Sequence, residues 1–148
     1  MRRILKITSI TVPVLLVAFL ISIPLVNDHS AAVVKELLTE TPLPEKTEYI
    51  EAVSKAGKLT GNGNGMQYFG AMLIKSELSL EELNDYYSVY RKNEWDFVVE
   101  VQEEQQIEVI EHGTLSFACD MSPEESYYIV YSWGSGNEVF AALDIRGH

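Results

Sequence analysis

Residues Ile7 to Val26 read ITSITVPVLLVAFLISIPLV, and none of them carries a charge. Of these 20 residues, 14 are aliphatic, phenylalanine or alanine. A helix rises 1.5 Å per residue, so a helix of this length covers about 30 Å, the thickness of a bilayer's hydrocarbon core. The stretch has no polar face, which a helix buried in a soluble core normally retains. We therefore predict that residues 7–26 lie in a membrane.

The charges on either side of this stretch predict its orientation. Arg2, Arg3 and Lys6 precede it, and the first acidic residue, Asp28, follows it. Basic residues stay on the cytoplasmic side of a membrane span. Residues 1–26 are thus predicted to form a cytoplasmic tip and a signal anchor. The protein would be a single-pass protein of the plasma membrane, with everything after residue 27 outside the cytoplasm.

A cleaved signal peptide is the alternative interpretation of the same segment. Signal peptides usually have an apolar region of about 7–15 residues before a cleavage site of small residues. The apolar stretch here is longer, but Ser30-Ala31-Ala32 follows it and resembles a cleavage site. Removal before Val33 would release a secreted factor. No cysteine lies near the end of the stretch, which excludes lipoprotein-type acylation there.

The rest of the chain is strongly acidic. The 122 residues after Val26 carry 8 basic and 22 acidic side chains, a net charge of −14. This excludes nucleic acid as a partner, because phosphate binding requires a basic face. It also predicts that the domain does not lie flat on anionic lipids. The single cysteine, Cys119, excludes an intramolecular disulfide framework and a multi-cysteine metal site.

Proline and helical spacing divide the exported part into two regions. Residues 31–40 could form a short helix or extend the anchor, with Val34, Leu37 and Leu38 spaced to pack on a domain. Pro42 and Pro44 then impose an extended chain. We interpret residues 27–44 as a stalk and residues 45–148 as one extracytoplasmic domain.

The domain begins with a predicted strand pair and a helix. Strands are expected over Glu48–Leu59 and Met66–Ile74, joined by a turn at Gly61–Gly65, and the second is apolar on both faces, as in a central strand. Ser79 and Glu82 form a capping box, and Leu78 and Leu83 a hydrophobic staple. The predicted helix has an apolar stripe formed by Leu80, Leu83, Tyr86, Tyr87 and Tyr90. Its last turn carries the cations Arg91 and Lys92, and Asn93 ends it.

The remainder is predicted to be about five strands. Apolar residues alternate with polar ones, or form short runs between turns, in the stretches 95–101, 107–109, 115–119, 127–133 and 139–145. The element order therefore predicts an α+β fold. An N-terminal transmembrane helix is followed by a mostly antiparallel β-sheet packed by one main helix.

No stretch of the sequence has the spacing of a known catalytic or metal site. The Gly61–Gly65 loop leads into a strand, whereas a phosphate-binding loop leads into a helix. His112 and Cys119 could approach each other, but alternation places Cys119 in the core, where a thiol is inert. The acidic residues of the 120–125 loop lack calcium-loop spacing. We predict no catalytic residue, no bound metal and no cofactor.

Aromatic side chains between Tyr127 and Trp133 admit two interpretations. They follow strand periodicity and so can fill the core of a small domain. Alternatively, some of them face outward and bind a partner, since tyrosine and tryptophan dominate binding hot spots. For that case the predicted binding face consists of Tyr128, Val130 and Trp133.

Part of the chain resembles a small domain of exported, membrane-attached bacterial proteins. The resemblance covers roughly residues 42–101 and is carried by Pro42-Leu43-Pro44, the strand pair, the helix Ser79-Leu80-Glu81-Glu82-Leu83 with Tyr86-Tyr87, and a strand led by Trp95. Asn93-Glu94 stands where those domains usually have a glycine before the tryptophan. The resemblance implies an extracytoplasmic α+β domain in the bacterial cell envelope and transfers no site residues.

Three functions follow as hypotheses. The leading one is a membrane-anchored domain with a non-catalytic role, either structural or in binding another envelope protein or a wall component. The second is an envelope hydrolase, perhaps metal-assisted, with carboxylates drawn from Glu94, Asp96, Glu100 or the 120–125 loop. The third is the secreted factor released by cleavage near Ala32.

Overall fold

The computed structural model describes residues 2–90 and 96–148, with side chains from Thr11 onward. Its elements, in chain order, are α1 (Arg2–Glu40), β1 (Thr47–Gly57), β2 (Gln67–Ser76), α2 (Leu80–Ser88), β3 (Val98–Val101), β4 (Tyr127–Gly134) and α3 (Glu138–Leu143), followed by a 3-10 turn at Ile145–Gly147. This order confirms the predicted α+β fold. Within the described residues, α1 is the one helix that is long and apolar enough to cross a membrane.

Helix α1 consists of two chemically different halves. Through Leu25 most of its large apolar side chains are exposed, as a helix surrounded by lipid requires. From Ile23 onward one stripe of the helix is buried, at the spacing of a packed helical face: Ile23, Asn27, Ala31, Val34 and Leu38. Pro13 and Pro24 lie inside the helix. The segment interpreted as a stalk is therefore helical to Glu40 and packs on the sheet, so it is not a separate linker.

The sheet is antiparallel with strand order β1-β2-β4-β3. Strand β2 lies between β1 and β4, which confirms its predicted central position. Alternate residues of β2 face opposite sides, and seven consecutive residues from Tyr68 to Ile74 are buried. Both faces of the sheet are thus covered, each by a different part of the chain.

Helices α1 and α2 cover the first face. Leu38 of α1 and Leu83 and Tyr87 of α2 pack against Met72 and Val130 of the two central strands. At Gly70 the helix and the strand are so close that a Cβ atom would lie 2.6 Å from the backbone nitrogen of Lys35.

The predicted capping of α2 is confirmed. The Ser79 hydroxyl accepts from the Glu82 amide, while the Glu82 carboxylate accepts from the Ser79 amide. Leu78 packs in the same cluster as Leu83, as the predicted staple requires. The helix ends at Ser88 with its C-cap at Val89, so the prediction that it continues through Tyr90 with Arg91 and Lys92 in its last turn is wrong. Residues 91–95 lie outside the described residues.

The segment 102–126 covers the second face without forming the expected strands. Ile107, Ile110 and Phe117 pack against the sheet. The strand pairing within this segment is limited to one isolated bridge between Gln106 and Ser116. The amides at 107 and 117 form the hydrogen bonds of this bridge, while others donate to groups outside the segment. The Glu51 carboxylate accepts from the amides of Ala118 and Cys119, and the Leu59 carbonyl from those at 111 and 112. The strands predicted at 107–109 and 115–119 are therefore wrong.

The last predicted strand, 139–145, is also wrong. It is helix α3 followed by the 3-10 turn, because the Asn137 side chain caps the amides of Val139 and Phe140. Asp144 caps the turn in the same way. Alternating apolar residues over seven positions suggested a strand, and two local polar caps produce a helix instead.

Candidate functional site

The predicted binding face lies in the core. Val130 and Tyr128 are buried under the helices of the first face, and the Tyr128 hydroxyl donates to the Leu78 carbonyl over 3.1 Å. Trp133 points to the second face, where its ring lies 4.9 Å from that of Phe69. Strand β4 is central, so both its faces are covered. The expectation that Tyr128 and Val130 point outward is therefore wrong, while Trp133 lies on the opposite face and is half-buried there.

Two of the carboxylates considered for a hydrolase are held by separate partners. Glu100 accepts from the Tyr131 hydroxyl over 3.0 Å, and burial together with this carboxylate raises the pKa of Tyr131 to about 12. Glu125 accepts from the Tyr127 hydroxyl at 2.7 Å and from the Lys75 ammonium at 3.1 Å, and these bonds lower the pKa of Glu125. Glu94 lies outside the described residues. No observation assigns a reaction to these groups, so the hydrolase remains a hypothesis.

The histidine and cysteine considered as a nucleophile pair also bind separate partners. The His112 Nε2 atom lies 2.7 Å from the Gly61 carbonyl, and the Cys119 thiol donates to the Asp120 carbonyl. Over residues 2–90 and 96–148, no three side chains of histidine, cysteine, aspartate or glutamate gather as a metal site would require. The Gly61–Gly65 loop joins β1 to β2, as predicted for a hairpin connection.

A partly buried polar network lies instead where the apolar part of α1 meets the domain. We call it the junction, and it consists of Asn27, Asp28, Tyr68, Asp144 and Arg146. Helix α1 supplies the first two residues and β2 the third. The last two come from the C-terminal end of the chain, more than 110 residues after Asn27. The junction therefore joins both ends of the protein to the sheet.

Asn27 is at the centre of the junction and is completely buried. Its side-chain nitrogen donates to the Asp144 carboxylate over 2.8 Å and to the Phe140 carbonyl over 3.1 Å, and its side-chain oxygen accepts from the Tyr68 hydroxyl over 2.8 Å. Both amide hydrogens and the amide oxygen are thus used. A buried amide is tolerated only when it is paired in this way.

Asp144 and Arg146 add a charge pair to the junction. The guanidinium Nη2 atom donates to Asp144 over 2.7 Å, and the Nε atom donates to the same carboxylate over 3.0 Å. These bonds, together with that from Asn27, lower the pKa of Asp144 to about 2. The Nη1 atom donates to Asp28 over 2.7 Å, and Nη2 also donates to the Pro24 carbonyl over 3.2 Å. Arg146 therefore ties the C-terminal turn to the last turn of the apolar stretch.

The backbone beside the junction is tied to the loop between β1 and β2. The amide of Lys58 donates to the Arg146 carbonyl over 2.7 Å, and that of Gly65 to the Gly147 carbonyl over 2.6 Å. Gly136 also packs closely against Tyr68, because a Cβ atom at position 136 would overlap the Tyr68 ring. The C-terminal segment thus packs between α1 and the hairpin loop.

Sequence reasoning missed the junction, although one signal was present. Asn27 falls in register with Ile23, Ala31, Val34 and Leu38, a helical stripe that is otherwise apolar. A polar residue in such a stripe requires a buried partner. Nothing local identifies that partner, because Asp144 lies 117 residues away. The polar groups of the junction bond to one another, so its role is to attach α1 to the sheet and to the C-terminal turn.

No protein-family model matches this sequence, and comparison with curated proteins and with solved structures finds no match. Function is therefore inferred from the chain's own geometry.

Proposed function

We propose that this protein is a single-pass membrane protein. Its acidic α+β domain stands outside the plasma membrane and serves a non-catalytic role, structural or binding, in the cell envelope. One observation carries the proposal: α1 is a single helix whose first part exposes apolar side chains and whose last part is built into the core. The same helix is therefore both membrane anchor and structural element of the domain.

The flanking charges support the proposed orientation. Three basic residues precede the apolar stretch, and the region after it has a net charge of −14. Retention of positive charge on the cytoplasmic side favours an inside N-terminus. The acidic domain then lies outside the cytoplasm, where its charge keeps it soluble.

The packing of α1 supports an uncleaved anchor. Cleavage after Ala32 would cut within a helix and would remove Asn27 and Ala31, both fully buried. The Tyr68 hydroxyl and the Asp144 carboxylate would then each lose a partner. Loss of partners to buried polar groups is costly. The secreted factor is thus the less favoured hypothesis.

The rigid connection suggests what the protein contributes to a complex. Because α1 enters the domain without a break, one continuous helix joins the membrane segment to the sheet. The membrane-distal end is the surface left for a partner, since the opposite end holds the junction. An open cleft at that end is lined by side chains of both charges, including Lys46, Glu48, Lys75, Glu77, Glu124 and Glu125. The partner we propose is another envelope protein or a wall component.

Cysteine labelling in intact cells tests the membrane topology. In a Cys119→Ser background, Glu124→Cys should react with a membrane-impermeant maleimide added outside, while Ile4→Cys should react only after permeabilisation. N-terminal sequencing of the membrane-bound protein should find residues 1–32 retained. The reversed labelling pattern would overturn the orientation, and a mature chain starting at Val33 would overturn the anchor.

Site-specific photo-crosslinking tests the binding role. A photoreactive amino acid at Glu77 or Glu124, at the distal end, should give a discrete crosslinked species in membranes. The same amino acid at Asn62, in the hairpin loop near the junction, is the matched exposed control and should give none. Equal crosslinking at all three positions, or none at any, would contradict a partner at the distal end.

A further inference from the structure

The lower end of the domain carries an exposed apolar surface beside α1. Helix α3 and the turn after it expose Val139 by 62%, Leu143 by 48% and Ile145 by 86%. Val139 and Leu143 are four residues apart and so lie on one face of α3. Exposed aliphatic side chains scattered singly are common, but these three are neighbours on one short segment.

Helix α3 packs against the part of α1 that belongs to the apolar stretch. The Phe140 ring lies 6.1 Å from that of Phe19. Leu143 and Ile145 line a shallow hollow together with Leu20, Ile23 and Pro24 of α1. Phe19 precedes Val26 by seven residues, about 10 Å along a helix. Helix α3 is therefore level with the last third of the predicted span.

At this level α1 is itself uncovered. Leu20, Ile21 and Leu25 are each more than half exposed. Together with Val139, Leu143 and Ile145 they form a band of apolar side chains from both ends of the chain, which we call the apolar band. The two helices are in contact, so whatever surrounds the α1 part of the apolar band also reaches the α3 part.

We propose that α3 lies in the outer interface of the bilayer, with Val139, Leu143 and Ile145 in contact with lipid acyl chains. The protein would then have two membrane contacts, the spanning helix and a C-terminal helix. The inference rests on the proposed function, because it requires α1 to span the membrane. A lipid surface is the occupant because the apolar band is continuous with side chains that a bilayer already surrounds.

The position of the charged groups agrees with this depth. Arg146 and Asp28 lie at the upper edge of the apolar band, where they pair over 2.7 Å, and both are partly exposed. Charged side chains at such an edge fall at the level of the headgroups. The acidic surface of the rest of the domain then stays off the bilayer, so that contact is limited to this one edge.

Depth-dependent quenching in vesicles tests the inference on the full chain. In a Cys119→Ser background, an environment-sensitive fluorophore is attached to Cys at position 143 or 145 (Leu143→Cys, Ile145→Cys). The protein is reconstituted into phosphatidylcholine vesicles containing lipids with a nitroxide near the headgroup or near the methyl end of the acyl chain. Matched controls are Leu16→Cys, in the middle of the span, and Glu124→Cys, at the distal end. Because all four side chains are exposed, the labels should not disturb the fold.

We expect several-fold stronger quenching by the shallow nitroxide at positions 143 and 145 than at 124, and quenching by the deep nitroxide at 16. If position 16 is quenched but positions 143 and 145 are quenched no more than position 124, the inference is overturned and the proposed anchor stays intact. Absence of quenching at 16 would overturn both. A buried fluorophore at 143 and 145 that no nitroxide lipid quenches would show a protein partner at this surface and would also overturn the inference.

Discussion

The Asn27 side-chain amide donates to the Asp144 carboxylate over 2.8 Å and links the exit of the apolar helix to the C-terminal turn. The same amide accepts from the Tyr68 hydroxyl of the central strand β2. One side chain thus fixes both the depth and the rotation of α1 relative to the sheet. The contribution of this one side chain to the attachment can be tested directly.

Asn27→Ala should destabilise the domain by about 1–3 kcal/mol, because it leaves the buried Tyr68 hydroxyl and part of the Asp144 carboxylate without partners. Denaturant unfolding of the full chain in detergent micelles measures the change. Thr39→Ala is the matched control on the same helix, since that hydroxyl is exposed and bonds only within the helix. Equal effects of the two substitutions would show that the junction contributes nothing specific.

A double-mutant cycle separates the hydrogen bond from general loss of packing. Tyr68→Phe removes the hydroxyl that donates to Asn27 and retains the ring. We expect the effects of Tyr68→Phe and Asn27→Ala to be non-additive by about 0.5–3 kcal/mol, as for residues of one network. Additive effects would mean that the two side chains do not cooperate.

Gly70→Ala should move α1 away from the sheet. The added Cβ atom would lie 2.6 Å from the Lys35 nitrogen and 2.8 Å from the Val34 carbonyl carbon, which are backbone atoms that cannot rotate aside. Overpacking of this kind costs about 1–3 kcal/mol. Gly63→Ala is the control, because nothing lies within 4 Å of that position. Thermal unfolding should show a lower midpoint for Gly70→Ala alone, and an unchanged midpoint would mean that α1 is not held against β2.

Features that the sequence predicted correctly are those set by local chemistry. The apolar stretch, the capping box at Ser79 and Glu82, and the doubly apolar strand β2 each depend on residues within one element. Capping bonds and burial on two faces are short-range consequences of side-chain type. These elements suffice to fix the α+β class.

Features that the sequence did not predict depend on distant partners. The alternating residues at 107–119 bury their apolar side chains with no more than one strand bridge, because Glu51 and Leu59 accept from the amides at 111, 112, 118 and 119. The outward-facing expectation for Tyr128 and Val130 failed because α1 covers that face. The packing of α1 into the core was not predicted either. Its buried stripe includes Asn27, whose partner Asp144 is far away in the sequence.

The junction should also make stability depend on pH. The hydrogen bonds from Arg146 and Asn27 lower the pKa of Asp144 from 3.8 to about 2 in the folded state. A depressed acid pKa contributes stability that is fully present above the unfolded value and is lost as the pH falls from about 4 to about 2. For this nearly buried carboxylate the contribution is about 2 kcal/mol.

Unfolding measured between pH 7 and pH 2 on the native chain and on Asp144→Asn isolates this contribution. The variant should be less stable at pH 7. The difference should shrink from about pH 4, where the carboxylate of the unfolded chain becomes protonated, to about pH 2, where that of the folded protein does. Glu124→Gln is the matched control, because it changes one exposed carboxylate on the distal loop. A difference that is constant across the whole pH range would contradict the assignment to Asp144.

Tyr87 of α2 offers a prediction of opposite sign. Its side chain is fully buried under α2, and its hydroxyl has no hydrogen-bond partner among the residues that the structure describes. Burial raises the pKa of this hydroxyl. Tyr87→Phe removes an unpaired polar group and leaves the ring in place, so it should be neutral or should stabilise the protein by up to about 1 kcal/mol.

Tyr86→Phe provides the contrast for this prediction on the same helix. The Tyr86 hydroxyl donates to the Pro42 carbonyl over 2.9 Å and lies 3.2 Å from that of Tyr90, so its removal should cost about 1 kcal/mol. Denaturant unfolding of the two variants side by side should therefore give shifts of different sign or at least of clearly different size. A loss for Tyr87→Phe as large as that for Tyr86→Phe would show that the buried hydroxyl is hydrogen-bonded after all.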